Sequence, residues 1–558
     1  MDPERTLARW LSAATILACL VLAIGLASPW IGPEPPVWDD AYMFVRYAHN
    51  LVTDGALAWD PRGEPTFGLT SPLFLFVVAP VRELVTDEPL RAALLSSLVS
   101  GVAFFLLLAA LVRTALPDRV VARRAVIFLV ALTLAGSARM QGAHMASGMD
   151  TMFAMAFVTG WLLLGVQLER APSHATAWAM GLAGGLAFGV RPDLCLYTLG
   201  VPLTMAVLAK DAGARRRALA IFGLSLAGTV LLMGTAWAYF GTPLPLPFWV
   251  KGTKRLYDES VHVLYGPVRL KMLTAFVRGC WPVLVAIVAG AWVLARRRDR
   301  RVSGFEAGVL LATVVFVVYY LRFALQIMPM EARFYQPVLP ALVWLGCRGL
   351  VEAAPLRIAR PVLAPLVLLV VSLPSTVPAV RLLASIARNG ARIAPLSIHD
   401  SYRSLARDWF GLEAFSRLPD DLVIATTEVG HVAALNPDKA IVDLSGLNDD
   451  GLARGQATVH DLLQRRRPDV IYVPDVFYGR LRADILDDPG FLTEYEYFPP
   501  ESLGLVNGEP YWLGIALRRS SRHYEAMRSI TAPPLTSRSG RAARGSARSW
   551  SSPAPQRR

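Results

Sequence analysis

Residues 10–30 read WLSAATILACLVLAIGLASPW, and the run Val37-Trp38-Asp39-Asp40-Ala41-Tyr42 follows soon after. The first segment is long and apolar enough to cross a bilayer, which takes about 20 residues. Two adjacent carboxylates just outside a membrane span are costly to place there without a function. They lie where a general base is needed to act on a substrate that is anchored in the lipid. The two features together predict chemistry at the membrane surface.

The composition predicts a polytopic α-helical membrane protein. Of the 558 residues, 54% are hydrophobic, which is rare for a soluble chain of this size. Apolar runs of about 18 to 24 residues recur along the sequence. A large soluble protein with buried helices fits this pattern poorly. A cleaved signal peptide is the alternative for residues 10–30, but the many later spans favour a retained first helix.

The apolar runs predict about eleven transmembrane helices. They lie at residues 10–30, 91–113, 124–138, 150–168, 175–190, 194–209, 218–240, 273–295, 304–322, 334–351 and 360–378. With eleven helices, the loops rich in Arg and Lys all fall on one side, which the positive-inside rule identifies as cytoplasmic. The module 1–378 therefore carries a first outer loop, residues 31–90, that contains Asp39 and Asp40.

The segment Ser71 to Val85 is apolar but short, and it contains Pro72 and Pro80. Counting it as a full span would move the Arg-rich loop 113–124 to the outer side, against the charge rule. We therefore predict a juxtamembrane or half-inserted helix here. This choice also places everything after residue 378 outside the cell.

Residues 379–520 predict a small extracytoplasmic α/β domain. Strand signals at 420–426, 440–443 and 468–474 alternate with helical stretches, one of which begins near Gly430. No dinucleotide-binding or P-loop pattern is present in the sequence. Help in binding an acceptor and a purely structural cap are both open as roles for this domain.

Residues 521–558 predict a disordered basic tail, since ten Arg stand against one Glu between Arg518 and Arg558. A solvated tail is favoured over contact with nucleic acid or anionic lipid, and no other feature points to nucleic acid. The four cysteines lie in or beside apolar runs without metal-ligand spacing, which is typical of packing residues.

Motif blocks along the chain resemble those of GT-C fold glycosyltransferases. Residues 38–51, WDDAYMFVRYAHNL, are similar to that family's DDA-aromatic-x-x-x-RYA-x-N-L block, and residues 68–73, GLTSPL, are similar to the stretch that follows it. Further blocks keep the family's order up to the tail: Ser147 to Asp150, Gly189 to Asp193, Gly241 to Lys251, Arg333 to Pro340 and Ile441 to Asp449. The nearest resemblance is to actinobacterial arabinofuranosyltransferases, including the mycobacterial terminal β-(1→2) arabinofuranosyltransferase family.

This resemblance implies a polyprenyl-phosphate sugar donor, with arabinofuranose as the sugar. The donor would be used on the outer face of the plasma membrane to extend a cell-envelope glycan. Mannosyl or other glycosyl transfer to protein or lipid is the alternative within the enzymes. A lipid-linked sugar transporter or flippase and a non-catalytic scaffold are the alternatives outside them, although the charges gather at helix ends rather than at mid-membrane depth.

For such a reaction, Asp39 or Asp40 is the predicted general base, with Asp39 favoured. The competing interpretation is that the pair caps a helix that begins near Ala41. Fixed cations are needed for the phosphate leaving group, and the candidates are Arg191, Lys251, Lys254 and Arg333, with Arg46 as a further one. His144 and Asp150 are predicted to contact the acceptor or a divalent cation such as Mg or Mn, although no spacing demands a metal.

Overall fold

The structure is a computed structural model. It describes residues 3–31, 36–253, 259–296, 302–324, 326, 330–353, 376–377, 379–388, 393–404, 409–474, 478–506 and 509–531. The predicted span 360–378 lies outside the described residues except for residues 376 and 377, and Lys254 lies outside them as well.

The first 353 residues are mostly helical. In chain order the helices are α1 (Pro3–Ala27), α2 (Ala41–Asp54), α3 (Leu75–Leu84), α4 (Pro89–Ala115), α5 (Val120–Gly136), α6 (Ala138–Ala146), α7 (Thr151–Arg170), α8 (His174–Gly185), α9 (Ala187–Val190), α10 (Cys195–Leu208), α11 (Ala212–Phe240), α12 (Leu246–Thr253), α13 (Glu259–Arg296), α14 (Gly304–Arg322) and α15 (Leu339–Ala353). The prediction of a polytopic helical membrane protein is confirmed.

Helices occupy ten of the eleven predicted spans, and the last span lies outside the described residues. Six of them, α1, α4, α7, α11, α13 and α14, are long and apolar enough to cross a membrane, and the pair α5–α6, bent by 62°, makes a seventh. Helices α8, α10 and α15 have 12, 14 and 15 residues, fewer than the roughly 20 that a straight span needs. By length and composition, six helices of the described part of the chain, or seven with the bent pair, could each cross a membrane, and the total of about eleven stays a prediction.

The short helices nevertheless belong to the bundle, because α8 packs along α11, α10 along α14 and α15 along α13. The segment Ser71 to Val85 forms a 3₁₀ turn and then α3, which has only 10 residues, in line with the prediction that it does not cross the membrane. Helix α2 begins at Ala41, as predicted, and ends at Gly55, whose φ of 70° gives the left-handed cap that glycine adopts without strain.

The C-terminal domain is built on a mixed sheet. Its strands are β1 (Ile424–Thr426), β2 (Ile441–Asp443), β3 (Val470–Val473), β4 (Tyr495–Phe498), β5 (Leu505–Val506), β6 (Glu509–Pro510) and β7 (Gly514–Arg518). The order of the main sheet is β2-β1-β3-β7-β4, with β2, β1 and β3 parallel and β7 antiparallel to both β3 and β4. The three predicted strands are present, whereas β4 and β7 were not predicted.

Short helices cover this sheet. They are α16 (Ile398–Ser404), α17 (Leu412–Ser416), α18 (Val429–Leu435), α19 (Asp450–Arg454), α20 (Val459–Arg466), α21 (Gly479–Leu486), α22 (Phe491–Glu494) and α23 (Tyr524–Thr531). Helix α23 packs against β7, so the folded domain continues past the predicted boundary at residue 520. The start of the tail that was predicted to be disordered is therefore helical, and residues 532–558 lie outside the described residues.

The domain rests directly on the first loop of the membrane module. One apolar cluster joins Ala41 and Tyr42 of α2 to Ile424 of β1 and Val432 of α18, all of them buried. The acidic pair and the domain consequently lie at the same end of the bundle, as predicted. That this end faces the outside of the cell stays a prediction.

Candidate active site

Asp39 is bound by the C-terminal domain. Its Oδ2 accepts a hydrogen bond from the Gly430 N–H at 2.9 Å, and its Oδ1 accepts from both the N–H and the Nδ1–H of His431, each at 2.7 Å. Burial opposes ionisation of this carboxyl, but the bonds and charge of His431 and the Gly430 bond outweigh it and hold the pKa of Asp39 below its ordinary value. Asp39 is therefore an anion that is already committed to three donors.

Asp40 makes a different contact. Its Oδ2 lies 3.4 Å from Nη1 of Arg333, and 28% of its side chain is exposed against 15% for Asp39. Among the described residues, its side chain makes no capping bond to α2. The capping interpretation is therefore wrong for both carboxylates, because one binds the domain and the other faces a cation.

Lys251 approaches the same place from α12. It is close enough to Arg333, Arg191, Asp40 and Asp150 to interact electrostatically with each of them. Burial, followed by repulsion from Arg333, lowers the pKa of Lys251 to about 8. The charged side chains around Lys251 thus come from separate segments of the chain. They are the cations Arg191 and Arg333 and the carboxylates Asp40 and Asp150.

Arg191 is held rigidly within this group. Its Nε and Nη2 donate to the two carboxylate oxygens of Asp193 at 3.2 and 2.7 Å. The Tyr320 hydroxyl accepts from Nη2 at 2.9 Å and donates to Asp193 at 2.7 Å. These bonds orient a buried guanidinium, and among the described residues they use its Nε and Nη2.

Asp150 reaches the site because of a glycine turn. Gly148 has a φ of +73°, and a methyl group there would lie only 2.8 Å from the methyl carbons of Ala41 and Ala93. The turn is tied to the first loop by the bond from the Trp38 N–H to the Ser147 carbonyl, at 3.0 Å. Asp150 follows immediately and lies within electrostatic reach of Arg191 and Arg333.

Arg333 follows a strained turn. Glu331 and Ala332 have φ angles of 47° and 57°, which cost residues other than glycine roughly 1 kcal/mol or more each. The Glu331 carbonyl accepts hydrogen bonds from His144 Nε2 at 3.0 Å and Gln336 Nε2 at 3.2 Å. His144 is fully buried, so it fixes the turn that presents Arg333. The prediction that His144 contacts an acceptor or a metal is not supported by this placement.

An apolar groove of about 440 Å³ lies along α7. Along α7 its lining residues recur every three or four positions, which is one face of the helix: Phe153, Ala156, Phe157, Gly160, Trp161 and Leu164. Asp150 precedes Phe153 by one helical turn and continues that face. The rest of the lining comes chiefly from α4. The groove therefore lies along α7, the helix that Asp150 immediately precedes.

Comparison with solved structures identifies the fold of this chain. ArnT from Cupriavidus metallidurans in the apo state matches with a TM-score of 0.54 and 12% identity over 94% of this chain and 99% of that chain. Its structure bound to undecaprenyl phosphate matches with a TM-score of 0.52 over the same shares at the same identity. The chain has the GT-C fold, which is that of a class of membrane glycosyltransferases.

Other comparisons add less for this GT-C protein. The arabinofuranosyltransferase AftD from Mycobacteria matches at 17% identity with a TM-score of 0.47, covering 92% of this chain and 40% of that chain, which is too distant to identify a sugar. Residues 397–533 match a model described as a domain of unknown function, DUF8728. No curated protein sequence matches the chain. The resemblance to terminal β-(1→2) arabinofuranosyltransferases stays a prediction.

Arg46 of the GT-C protein does not belong to the phosphate-binding set. Its Nε donates to the Trp59 carbonyl at 2.6 Å, its Nη1 to the Asn436 carbonyl at 3.1 Å and its Nη2 to the Lys439 carbonyl at 2.7 Å. Only 3% of Arg46 is exposed, and Asp60 lies 3.9 Å away. These bonds hold the Arg46 guanidinium between α2 and the domain. They correct the sequence-based prediction that Arg46 binds the donor phosphate.

Metal binding is not tested by this structure. Among the described residues, no three His, Cys, Asp or Glu side chains come together as a metal site would require. The positive charges beside Asp40 are Arg333 and Lys251 instead. The divalent cation stays a prediction without a site assigned to it.

Sequence reasoning missed the partners of the acidic pair in this GT-C protein, His431 and Gly430. A signal was available, since Gly430 and His431 begin a predicted helix a few residues after the predicted strand 420–426, and backbone N–H groups at the start of a helix are free to bind an anion. Nothing in the sequence connects them to Asp39, which lies 391 residues before Gly430.

Proposed function

We propose that this protein is a membrane glycosyltransferase that moves a sugar from a polyprenyl-phosphate donor to an acceptor hydroxyl. The observation that carries the proposal is the convergence of Asp40 with Arg333, Lys251 and Arg191, together with an apolar groove along α7, the helix that follows Asp150 in the sequence. The reaction needs one carboxylate to take a proton and several cations to stabilise a phosphate that leaves with an electron pair. It also needs an apolar surface for the lipid that carries the phosphate.

Asp40 is the better candidate for the base, which reverses the preference drawn from the sequence. Asp39 already accepts three hydrogen bonds from the domain, whereas the ion pair of Asp40 among the described residues is a long contact with Arg333, and Asp40 is more exposed. In the reaction, the acceptor oxygen forms a bond to the anomeric carbon and its proton passes to Asp40. The bond between that carbon and the phosphate oxygen breaks at the same time.

The three cations receive the phosphate. Arg191 is pre-oriented by Asp193 and Tyr320, so little conformational freedom is lost when it binds. Arg333 links the proton acceptor to the phosphate-binding cations, because it contacts Asp40 and lies near Lys251. A phosphate that draws Arg333 toward itself releases Asp40 to accept the proton.

The groove suits the prenyl chain of the donor. Its lining is apolar, and Phe153, the first α7 residue of the lining, follows Asp150 by one helical turn in the sequence. ArnT, which shares the fold, has been solved bound to undecaprenyl phosphate. Arabinofuranose as the sugar, and a cell-envelope glycan as the acceptor on the outer face of the plasma membrane, are proposed from the resemblance of the motif blocks.

The test is a transfer assay with the full-length protein in lipid vesicles. Polyprenyl-phosphoryl arabinofuranose and polyprenyl-phosphoryl mannose, each with a labelled sugar, are offered with arabinan and mannan oligosaccharides. We expect label to enter an oligosaccharide from the arabinose donor. Transfer from the mannose donor alone would reassign the sugar. Absence of transfer from both donors, together with absence of undecaprenyl phosphate binding, would overturn the proposal.

Binding of undecaprenyl phosphate is expected to weaken as the pH rises through about 8. Lys251 is cationic below its pKa and neutral above it, whereas a phosphate monoester remains dianionic throughout this range. Because bound phosphate stabilises the Lys251 cation, Lys251 loses its proton at a higher pH in the complex than in the free protein. Lys251→Met should weaken binding about 10- to 100-fold at pH 7, as expected for the loss of one charge-assisted bond.

Lys251→Arg is the matched control, since its side chain stays charged up to pH 12. Titration of the purified protein with undecaprenyl phosphate from pH 7 to 10 measures the effect. A wild-type affinity as constant over this range as that of Lys251→Arg would contradict the assignment of Lys251.

A further inference from the structure

A chain of hydrogen bonds joins the C-terminal domain to the acidic pair. Ser401 Oγ lies 3.1 Å from His431 Nε2, and His431 Nδ1 lies 2.7 Å from Asp39 Oδ1. Because a carboxylate only accepts, Nδ1 carries the proton that faces Asp39, and Nε2 is the nitrogen that meets the Ser401 hydroxyl. The carboxylate at the end of this chain is adjacent in sequence to Asp40.

The order Ser-His-Asp is that of a hydrolytic triad, but nucleophilic chemistry does not fit its location. Ser401 and His431 are buried, Ser401 completely, so a substrate does not reach the hydroxyl. The imidazole is also enclosed by rings. The Tyr42 ring of α2 meets it edge-on with centroids 4.7 Å apart, and Trp409 lies at 5.3 Å. These contacts fix an orientation rather than expose a reactive group.

The domain is also hydrogen-bonded to the first loop of the membrane module through Asn448. Asn448 Oδ1 accepts from the Tyr47 hydroxyl of α2 at 2.9 Å, and the same hydroxyl accepts from the Gly68 N–H at 3.1 Å. Asn448 is itself held by Asp443, whose Oδ2 accepts its Nδ2–H at 2.8 Å. The motif blocks of the first loop and of the domain are thus joined in one buried network.

Helix α12, which carries Lys251, also packs against the domain. Leu246 and Val250 of α12 form an apolar cluster with Ala453 of α19. Arg454 Nη2 also donates to the Gly241 carbonyl at 3.1 Å, just before α12. The C-terminal domain therefore contacts both the segment that carries Asp40 and the helix that carries Lys251.

We propose that the C-terminal domain is a working part of the active site, and that His431 is the positioning residue through which it orients the acidic pair. The inference rests on the proposed transferase function. By fixing Asp39 toward the domain, His431 turns Asp40 toward Arg333 and Lys251. The domain that matches a model of unknown function would thus act on the reaction without touching the substrate.

His431→Gln and His431→Asn test this role. The amide nitrogen of Asn lies near the position of Nδ1 and keeps a donor for Asp39, whereas that of Gln lies nearer Nε2 and loses it. We expect His431→Gln to lower kcat about 10- to 100-fold, the effect of a shift near 1 Å in a reacting group. His431→Asn should restore most of the rate. The affinity for undecaprenyl phosphate should stay at the wild-type value in both, which also shows that they fold.

A double-mutant cycle separates positioning from general destabilisation. In an Asp39→Asn background, His431→Gln should cause little further loss of kcat, because both changes break one contact. His460→Ala is the control, since His460 pairs with Asp488 at the surface of the same domain. It should transfer sugar at the wild-type rate.

Wild-type kcat in His431→Gln, or an equal loss with and without Asp39→Asn, would overturn the inference while leaving the proposed function intact. A wild-type protein that neither transfers sugar from either donor nor binds undecaprenyl phosphate would instead overturn the proposed function and this inference with it. Should His431→Gln fail to fold, Asp39→Asn alone tests the contact from the membrane side. It should lower kcat while leaving undecaprenyl phosphate binding unchanged, and a wild-type kcat would overturn the inference.

Discussion

Replacement of Asp40 by Asn is expected to lower the kcat of sugar transfer about 10²- to 10⁴-fold, the range for loss of a general base. The amide has nearly the shape of the carboxylate but does not take the proton of an acceptor hydroxyl. The affinity for undecaprenyl phosphate should persist, because Arg191 and Lys251 are untouched and Arg333 gains freedom to bind phosphate. Initial rates with a labelled donor, together with a lipid-binding titration, give the two quantities.

Two variants accompany this experiment. Asp39→Asn should cost less, about 10- to 100-fold, because it disturbs an orientation rather than removing the base. Asp438→Asn is the control, since Asp438 is an exposed acid that contacts His49. An Asp40→Asn enzyme that retains most of its kcat, beside an inactive Asp39→Asn enzyme, would return the role of base to Asp39.

Gly430→Ala is expected to have the second largest effect, a loss of kcat of about 100-fold. A methyl group on Gly430 would overlap the Asp39 carbonyl oxygen and lie 2.6 Å from the carboxyl carbon Cγ. Side-chain methyls essentially never approach other heavy atoms within 3.0 Å, so α18 and the acidic pair must move apart. Overpacking of this kind typically costs about 1–3 kcal/mol of stability, and here the displaced group adjoins the proposed base.

The measurements are kcat, and hydrogen exchange of the backbone amides of residues 36–54, which should become faster. Gly234→Ala is the control. Gly234 lies within α11, no described atom approaches within 4 Å of its added methyl, and alanine favours a helix. Wild-type kcat and exchange in Gly430→Ala would show that contact with the domain does not orient the pair.

The sequence by itself determined the features that depend on local pattern. The lengths of apolar runs predict the helices of the bundle, and the brevity of the run 71–85 predicts the short α3, which follows the 3₁₀ turn of Pro72 and contains Pro80. The short alternating runs of the C-terminal region predict β1, β2 and β3. The start of α2 at Ala41 follows from the same local signals. Each of these depends on residues within about 20 positions of one another.

Tertiary structure alone decided which charged side chains share the site. Arg46 and Lys251 are both cations of the predicted outer loops, yet Arg46 binds carbonyls of the domain and Lys251 joins the cluster near Asp40. Asp39 and Asp40 are adjacent, but one accepts from His431, 392 residues away, and the other faces Arg333. Directional bonds between such distant positions follow from how the domain packs on the bundle, and a local pattern of residues carries no record of that packing.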